Sequence, residues 1–561
     1  MYYSDKYSSI PYGIVNKRSC GVGASSFALE NTDSVVLVVP NVAMIQNKTA
    51  QYPNKRRSEA VFGLYSGIDL RDLAAYLKKA ITPKIMVTYD SFYKLKEFID
   101  DEYHIIIDEF SELLDAYGYR DKAINSLLDQ IFHYPKLSFI SATPIVKEYL
   151  PPILAELPYT ELEWEDSTPV KVIPVNTTKP LTAVLNTIQK YKLGLVELKG
   201  FKSEAAYFFM NSVRLIRQIV DDAELLPSQV RIICANNKEN ENKLDLFKIQ
   251  TTLDPEKLIN FVTSNSFKGS DIYSETGIAY VVSNNTHLNT LLTIDTDIYQ
   301  IAGRIRNETN PFRNTIFHIF NENPLKLGEE EFNKYIERKS NDTLEMINIF
   351  NTTETNQREI FLRNIKIDGD DNYLHLDLNR NLVFDEIKLL QEKRVYECVI
   401  KVYQSGLNIL NTYKADSKYQ IENDSEFINV EFLTKTNSIQ MCKLLVEGKC
   451  KPEDIEVRYP LIAEGYRKLG GDKLKALGYS STKIRNEINN LNNKEDIELA
   501  IKKLFTPGFY PNKDVKVMLT RLYKDLEINK TAKASEIGEM FNIKPVTKRF
   551  GKTTVTGFEI L

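Results

Sequence analysis

The sequence predicts an α/β protein in which two tandem parallel-sheet units are followed by a mainly helical C-terminal region. Three observations predict it. First, short β-branched or apolar runs at 35–39 (VVLVV), 85–88 (IMVT), 104–107 (HIII) and 137–140 (LSFI) alternate with polar segments of helical spacing, such as Leu70, Leu73 and Leu77 and the 112–131 stretch. Runs of this kind are strands buried on both faces, as in a parallel sheet covered by helices. Second, the pattern restarts after Pro151 and Pro152, with runs at 171–175, 206–210, 231–235, 260–264, 278–282 and 314–320. Third, the texture changes near residue 328. Residues 328–363 are highly charged and helical in spacing, 366–384 carry turn residues and an LHLDL alternation suited to a small hairpin, and 385–530 read as helices broken by Gly470, Gly471, Pro507 and Pro511. These shifts place boundaries at 1–160, 161–327, 328–512 and 513–561.

Composition sets wide limits. At roughly 100–200 residues per domain, 561 residues allow three or four domains. Hydrophobic residues make up 43% and charged residues 26%, ordinary for globular chains that bury a core. The net charge of -4 gives no global basic signature, so any contact with nucleic acid must come from local patches. The five cysteines form no C-x-x-C pair and there are only five histidines, which points away from zinc and disulfide frameworks and suits a reducing compartment. The N-terminus has no apolar signal core and no apolar run approaches the roughly 20 residues of a membrane span. The expectation is a cytoplasmic protein without a membrane partner.

Three signals in the first unit stand in a suggestive order. Cys20-Gly21-Val22-Gly23-Ala24-Ser25-Ser26 precedes a helix-compatible stretch, and its glycines would let backbone N–H groups approach phosphate oxygens. Set against the pattern G-K-[ST], Ala24 holds the lysine position and Ser25 the magnesium-binding hydroxyl. Next, Ile105-Ile106-Ile107 ends in Asp108 and Glu109, which puts two acids at the C-terminal edge of a strand, where α/β proteins bind ligands. Ser141-Ala142-Thr143-Pro144 follows another apolar run 33 residues after Asp108. Each alone could be a turn; the three together in this order are not a chance pattern.

Further segments complete a series: Val38-Val39-Pro40-Asn41, Val87-Thr88-Tyr89-Asp90-Ser91, 207–213 (YFFMNSV), 263–271 (TSNSFKGSD) and 300–307 (QIAGRIRN). The series resembles the motifs of superfamily 2 helicases of the DEAD/DEAH type, of the kind found in phages and bacterial mobile elements, with a degenerate Walker A loop. The resemblance covers about residues 12–325. It implies two RecA-like P-loop lobes that bind ATP with Mg²⁺, and a nucleic-acid translocase or helicase activity. Under it, residues 21–26 cradle the nucleotide and Ser25 with Asp108 holds Mg²⁺. Glu109 orients or polarises the attacking water, Gln300 is a further catalytic residue, and Arg304 or Arg306 reaches the γ-phosphate. Ser141, Ala142 and Thr143 couple the site to the strand, and Pro40, Asn41, Thr88 and Thr263 touch nucleic acid. The pattern Q-x-x-G-R-x-G-R fits Arg304, whereas Arg306 lies one residue early and Asn307 holds the expected place, so either arginine could be the finger. Lys17, Arg18, Arg304 and Arg306 are the cations available to replace the absent lysine.

The tail adds a local charge. Residues 513–552 carry ten basic and five acidic residues. Ser535 is placed to cap a short helix, and the sequence from Val546 to Ile560 reads as a β-hairpin. Helices followed by a basic hairpin resemble a winged helix, with Lys548, Arg549 and Lys552 on phosphates; the other reading is a small basic domain docked on the acidic body. Residues Leu389, Leu390, Tyr396, Val399, Ile400 and Tyr403 make an apolar helical face, for core or for a partner. The partners expected are nucleic acid, DNA before RNA, and replication or phage proteins. The second function in view is a non-hydrolysing helicase-like binding or scaffold protein of a replication or packaging complex.

Overall fold

A computed structural model describes residues 2–52, 60–164, 168–269, 271–323, 327–364, 367, 369, 371–377, 379–422, 435–456, 459–492, 494–525, 531–550 and 553–561. Its contacts divide the chain into two compact units. The first comprises Met1–Thr178, Asn265–Glu275 and Ala279–Asp424; the second comprises Lys179–Ser264, Thr276–Ile278 and Ser425–Leu561.

In the first unit, seven strands form one sheet: β1 (Gly13–Asn16), β2 (Val35–Val39), β3 (Phe62–Leu64), β4 (Lys84–Thr88), β5 (His104–Asp108), β6 (Leu137–Ser141) and β7 (Tyr159–Glu161). Their order is β3-β4-β2-β5-β6-β1-β7, and every pairing is parallel. Val35–Val39 and Ile105–Ile107 are buried throughout, because alternate side chains of a central strand meet helices on both faces. One face packs Val36, Val38, Ile105 and Ile107 against Leu113, Leu127 and Ile131; the other packs Val35, Leu37, Val39 and Ile106 against Ala28, Leu29 and Ile45. The four runs read as strands in the sequence are β2, β4, β5 and β6. The strand β1, with only Ile14 and Val15 as apolar residues between Gly13 and Asn16, carries no such run.

The remaining strands are β8 (Val170–Asn176), a two-residue hairpin β9 (Glu197–Leu198) and β10 (Phe201–Lys202), then β11 (Ala206–Phe209), β12 (Val230–Ile233), β13 (Ile259–Val262), β14 (Ile278–Ser283) and β15 (Thr315–Phe320). A hairpin of β16 (Leu374–Leu376) and β17 (Leu382–Phe384) precedes β18 (Tyr419–Ile421). The strands β14, β15, β8 and β18 lie side by side in the first unit, and β12, β13 and β11 lie side by side in the second. The pairings within each set are parallel. Two parallel sheets flanked by helices, followed by a helix-rich region, are the architecture of tandem RecA-like lobes. An element from the later region, β18, supplies the edge strand beside β8.

The apolar face of residues 396–403 proves to be core. Tyr396, Val399, Ile400 and Tyr403 are buried, and the Tyr403 hydroxyl donates to the Leu292 carbonyl at 2.6 Å. Beside it lies His318 of β15, fully buried, with Nε2 3.0 Å from Ser283 Oγ and Nδ1 2.8 Å from Tyr413 Oη. Burial pulls its pKa down to about 3, and His104, against Ser138 in the first sheet, is drawn by burial to about 4. A base whose folded pKa lies below its unfolded value leaves the unfolded state holding more protons. Stability therefore rises with pH between the two values and is complete above about 6.5. For His318 the expected loss at pH 5 is about 2 kcal/mol. Denaturant unfolding followed through Trp164, the single tryptophan, should show a difference between wild type and His318→Gln that shrinks from pH 7 to pH 5. A difference independent of pH would mean that the fold leaves the His318 pKa at its unfolded value.

In the second unit, helices span Lys435–Val446, Pro460–Leu469, Ser481–Asn492 and Lys494–Leu504. The tail runs β19 (Gly508–Pro511), helix Asn512–Asp525, a short 3-10 turn Ala534–Glu539, then β20 (Ile543–Phe550) and β21 (Thr553–Ile560), in sheet order β19-β21-β20. Ser535 lies inside the 3-10 turn and caps nothing: the turn starts after Lys533, whose N–H donates to Glu536. Among the described residues no helix is long and apolar enough to cross a membrane.

Candidate nucleotide site

The C-terminal edge of the first sheet gathers most of the predicted residues. The chain leaves β1 at Asn16 and enters the loop 17–23, and the helix Ala24–Glu30 starts after Gly23. The loop is folded by left-handed backbone at Arg18 (φ 56), Gly21 (φ 78) and Gly23 (φ 83). Arg18 stands where the pattern G-x-x-x-x-G-K-[ST] has its first glycine, and adopts a conformation that favours glycine. Ala24 is buried with Val22, Ala28 and Leu29 in the core behind the loop.

Asp108 ends β5 and is 1% exposed. Its Oδ2 accepts from Ser25 Oγ at 2.5 Å, and its Oδ1 accepts from the Glu109 N–H at 3.0 Å and from Lys17 Nζ at 3.0 Å. Burial would raise this carboxyl's pKa, but Lys17 and the hydrogen bonds prevail and lower it. Glu109 sits at φ 50, a strained position for a non-glycine residue of the sort that clusters at functional sites. The Tyr89 hydroxyl lies within hydrogen-bonding distance of the carbonyls of both acids, at 3.0 and 3.2 Å, which fixes the turn. Glu109 Oε2 accepts from Ser141 Oγ and from Gln300 Nε2, both at 3.1 Å, and Gln300 Nε2 also reaches Thr143 Oγ1 at 3.1 Å. Gln300 Oε1 is buried and has no hydrogen-bond partner among the described residues.

The two arginines part company. Arg304 is 4% exposed and turns its Nε back to the carbonyl of Gln300 at 3.0 Å. Arg306 donates from Nε to Asp271 Oδ1 at 2.7 Å, and its guanidinium lies over the loop: a Cβ on Gly21 would fall 1.8 Å from Nη1. The register comes from a bridge between Ile272 and Ile305, with the Ile272 N–H donating to Arg304 O and the Arg306 N–H donating to Ile272 O. Gly303 packs on Cys20, where a Cβ would come within 2.6 Å of the cysteine Cβ.

Other predicted residues lie nearby in different roles. Asn41 caps the helix Val42–Gln51, accepting from the Met44 N–H at 3.0 Å, and its Nδ2 donates to Lys268 O at 3.0 Å. Pro40 O accepts from Arg120. Ala142 and Thr88 are buried, Thr88 as the last residue of β4. Ser26 Oγ accepts from Lys48 Nζ at 3.0 Å. Thr263, in the second unit, is buried after β13 and its N–H donates to Ile233 O. In the tail, Lys548 pairs with Glu559 at 2.9 Å and lies 4.7 Å from the Phe509 ring centre, while its neighbour Arg549 projects from the opposite face of β20 and is exposed. Lys552 lies outside the described residues.

Sequence reasoning offered Lys17 as one of four cations without its partners, and missed the ion pairs of Lys268. Lys268 pairs with Glu112 Oε1 at 2.6 Å and Asp297 Oδ1 at 3.2 Å. Arg394, from the helix Glu386–Val395, pairs with Asp115 and Asp295, both at 2.9 Å. Among the described residues no cluster of three or more His, Cys, Asp or Glu could hold a metal alone. Ser25 Oγ and Asp108 do converge, and this fits Mg²⁺, which takes one or two protein ligands and fills its octahedron with water and phosphate.

No protein-family model matches the chain, and no curated protein matches it. Among solved structures it is similar to Mss116p bound to ssRNA and AMP-PNP (15% identity, 63% of this chain and 80% of that one, TM-score 0.38). It is also similar to S. cerevisiae Dbp5 bound to RNA and ADP BeF3 (13% identity, 58% and 82%, TM-score 0.38). A third likeness is to the Mycobacterium smegmatis helicase Lhr bound to ssDNA and AMP-PNP (12% identity, TM-score 0.36), where 55% of this chain spans 43% of that protein.

Proposed function

We propose that the chain is an ATP-dependent translocase or helicase acting on single-stranded nucleic acid. The observation that carries the reading is the convergence on one loop of a metal-binding pair (Ser25, Asp108), a water-holding pair (Glu109, Gln300) and an arginine (Arg306). Ser25 and Asp108 would hold Mg²⁺, which when bound would neutralise charge on the phosphates. Glu109 and Gln300 Oε1 present acceptors that orient a water toward the γ-phosphate, and the hydrogen bond from Ser141 holds the Glu109 carboxylate in place. Ser141 and Thr143 share hydrogen bonds with Glu109 and Gln300, so a shift of the 141–143 turn reaches the water-holding groups directly. Nucleic-acid contact is assigned to the tail, where Lys544 and Arg549 are exposed on the β20–β21 hairpin. The order helix, strand, helix, turn, strand, strand with sheet order 1-3-2 supports a winged-helix-like module whose hairpin does the touching.

The test is ATP turnover by the full chain alone, with single-stranded DNA and with single-stranded RNA. Turnover stimulated several-fold by one of them is expected. The second reading, a nucleotide-binding scaffold, is favoured by Ala24 at the lysine position; binding of ATP without turnover under all three conditions would establish it against ours.

A further inference from the structure

We infer that Lys17, the residue at which the chain leaves β1, is the phosphate-binding cation of this site and takes over the task of the lysine missing from position 24. The inference rests on the nucleotide reading above.

Its backbone is fixed from both sides. The Lys17 N–H donates to Ser141 O at 2.7 Å, extending the β1–β6 pairing, and its carbonyl accepts from Trp164 Nε1 at 2.7 Å. From that anchor the side chain runs into the site, where Nζ lies 3.0 Å from Asp108 Oδ1 and 3.6 Å from Glu109 Oε1. The residue is only 7% exposed. Burial works against its charge, yet the two carboxylates hold its pKa well above the ordinary lysine value, so it is an ammonium ion at any physiological pH.

Charge balance explains why it is there. Asp108 and Glu109 are two adjacent buried acids, and an uncompensated pair of this kind is costly. One ammonium offsets part of that cost while the site waits. Asp108 is also held by Ser25, the serine suited to a metal ion, so phosphate oxygens bound there would arrive within reach of a flexible four-carbon side chain. Lys17 then exchanges a carboxylate oxygen for a phosphate oxygen and frees Asp108 for the metal. No bond is made or broken in this exchange beyond hydrogen bonds.

The other cations have other places. Arg306 lies over Gly21, aimed by Asp271, and is the arginine assigned to the γ-phosphate, Arg18 pairs with Glu161 at 3.1 Å, Arg304 turns to the Gln300 carbonyl, and Lys48 reaches Ser26 from the helix Val42–Gln51. Ala24 itself is buried with Val22, Ala28 and Leu29.

The experiment is calorimetric titration of the full chain with ATP, in Mg²⁺ and again in EDTA, for wild type, Lys17→Met, Lys17→Arg and Lys48→Met. Losing a charge-assisted contact should weaken ATP binding by Lys17→Met by about 10- to 100-fold. The loss should be larger in EDTA, where no metal shares the phosphates, and Lys17→Arg should recover part of it. If Lys17→Met unfolds the chain, Asp108→Asn provides a background without the unpaired acid. In EDTA the metal role of Asp108 is silent, and Asp108→Asn/Lys17→Met should still bind more weakly than Asp108→Asn. Equal binding by wild type and Lys17→Met would overturn the inference and leave the nucleotide reading standing. So would tighter binding in Mg²⁺ with no loss in EDTA, which would make Lys17 only a competitor of the metal, or a loss confined to Lys48→Met. A wild-type chain that binds no ATP in either buffer would overturn both readings.

Discussion

Glu109→Gln is expected to leave ATP binding in place and to lower turnover by about 10²–10⁴-fold, the usual contribution of a positioned general base. The carboxylate is held in one orientation by two donors, Ser141 Oγ and Gln300 Nε2. An amide keeps the size but loses acceptor strength, and its own N–H groups would face donors. The left-handed backbone at Glu109 fixes where the side chain starts, so the substituted group cannot move far to compensate. Gln300→Ala should give a smaller loss in turnover, since it removes the unpartnered Oε1 that would hold the same water but leaves the base. Steady-state turnover and calorimetric ATP affinity, measured together, separate chemistry from binding. Unchanged turnover in Glu109→Gln would remove this residue from the reaction.

How much of this was legible in the sequence depends on what each residue rests upon. Central strands announce themselves, because burial on both faces demands uninterrupted apolar residues, and β2, β5 and β14 have them. Short or edge strands carry no such demand: β3 and β18 have three residues each, and β1 has two apolar ones. Yet β1 is the strand that positions Lys17. Asp108 and Glu109 could be read because strand period and polarity end together at residue 107. Lys17 could only be named beside Arg18, Arg304 and Arg306, since the choice among them depends on the β1–β6 pairing and on Asp108, 91 residues further on. The same holds for Lys268 and Arg394, whose partners are remote in sequence. The hairpin residue Lys548 illustrates the converse: its charge was plain, but its pairing with Glu559 depends on the β20–β21 register.

The two arginines could not be ranked from spacing, because the pattern they resemble is broken at Asn307, and here the structure gives a specific expectation. Arg306→Ala should lower turnover by about 10³–10⁵-fold, the range for an arginine that stabilises charge on a transferring phosphoryl group. Its planar fork is held at one end by Asp271 Oδ1, and the guanidinium lies against Gly21, where only the absence of a side chain leaves room for it. Burial opposes the ion pair, but Arg306 still lowers the pKa of Asp271, so the carboxylate that aims the fork stays charged. Asp271→Asn should therefore reduce turnover less than loss of the arginine itself, by leaving the guanidinium present and poorly aimed. Arg306→Lys should recover little, because an ammonium cannot meet a carboxylate and a phosphate with one plane of donors. Arg304→Ala has a different signature. Its side chain is buried against its own helical turn, so the expected effect is a lower melting temperature, with the remaining folded protein turning over ATP. Turnover per folded molecule and melting temperature, measured on both variants, decide the matter. Retained turnover in Arg306→Ala, together with lost turnover at an unchanged melting temperature in Arg304→Ala, would give the role to Arg304.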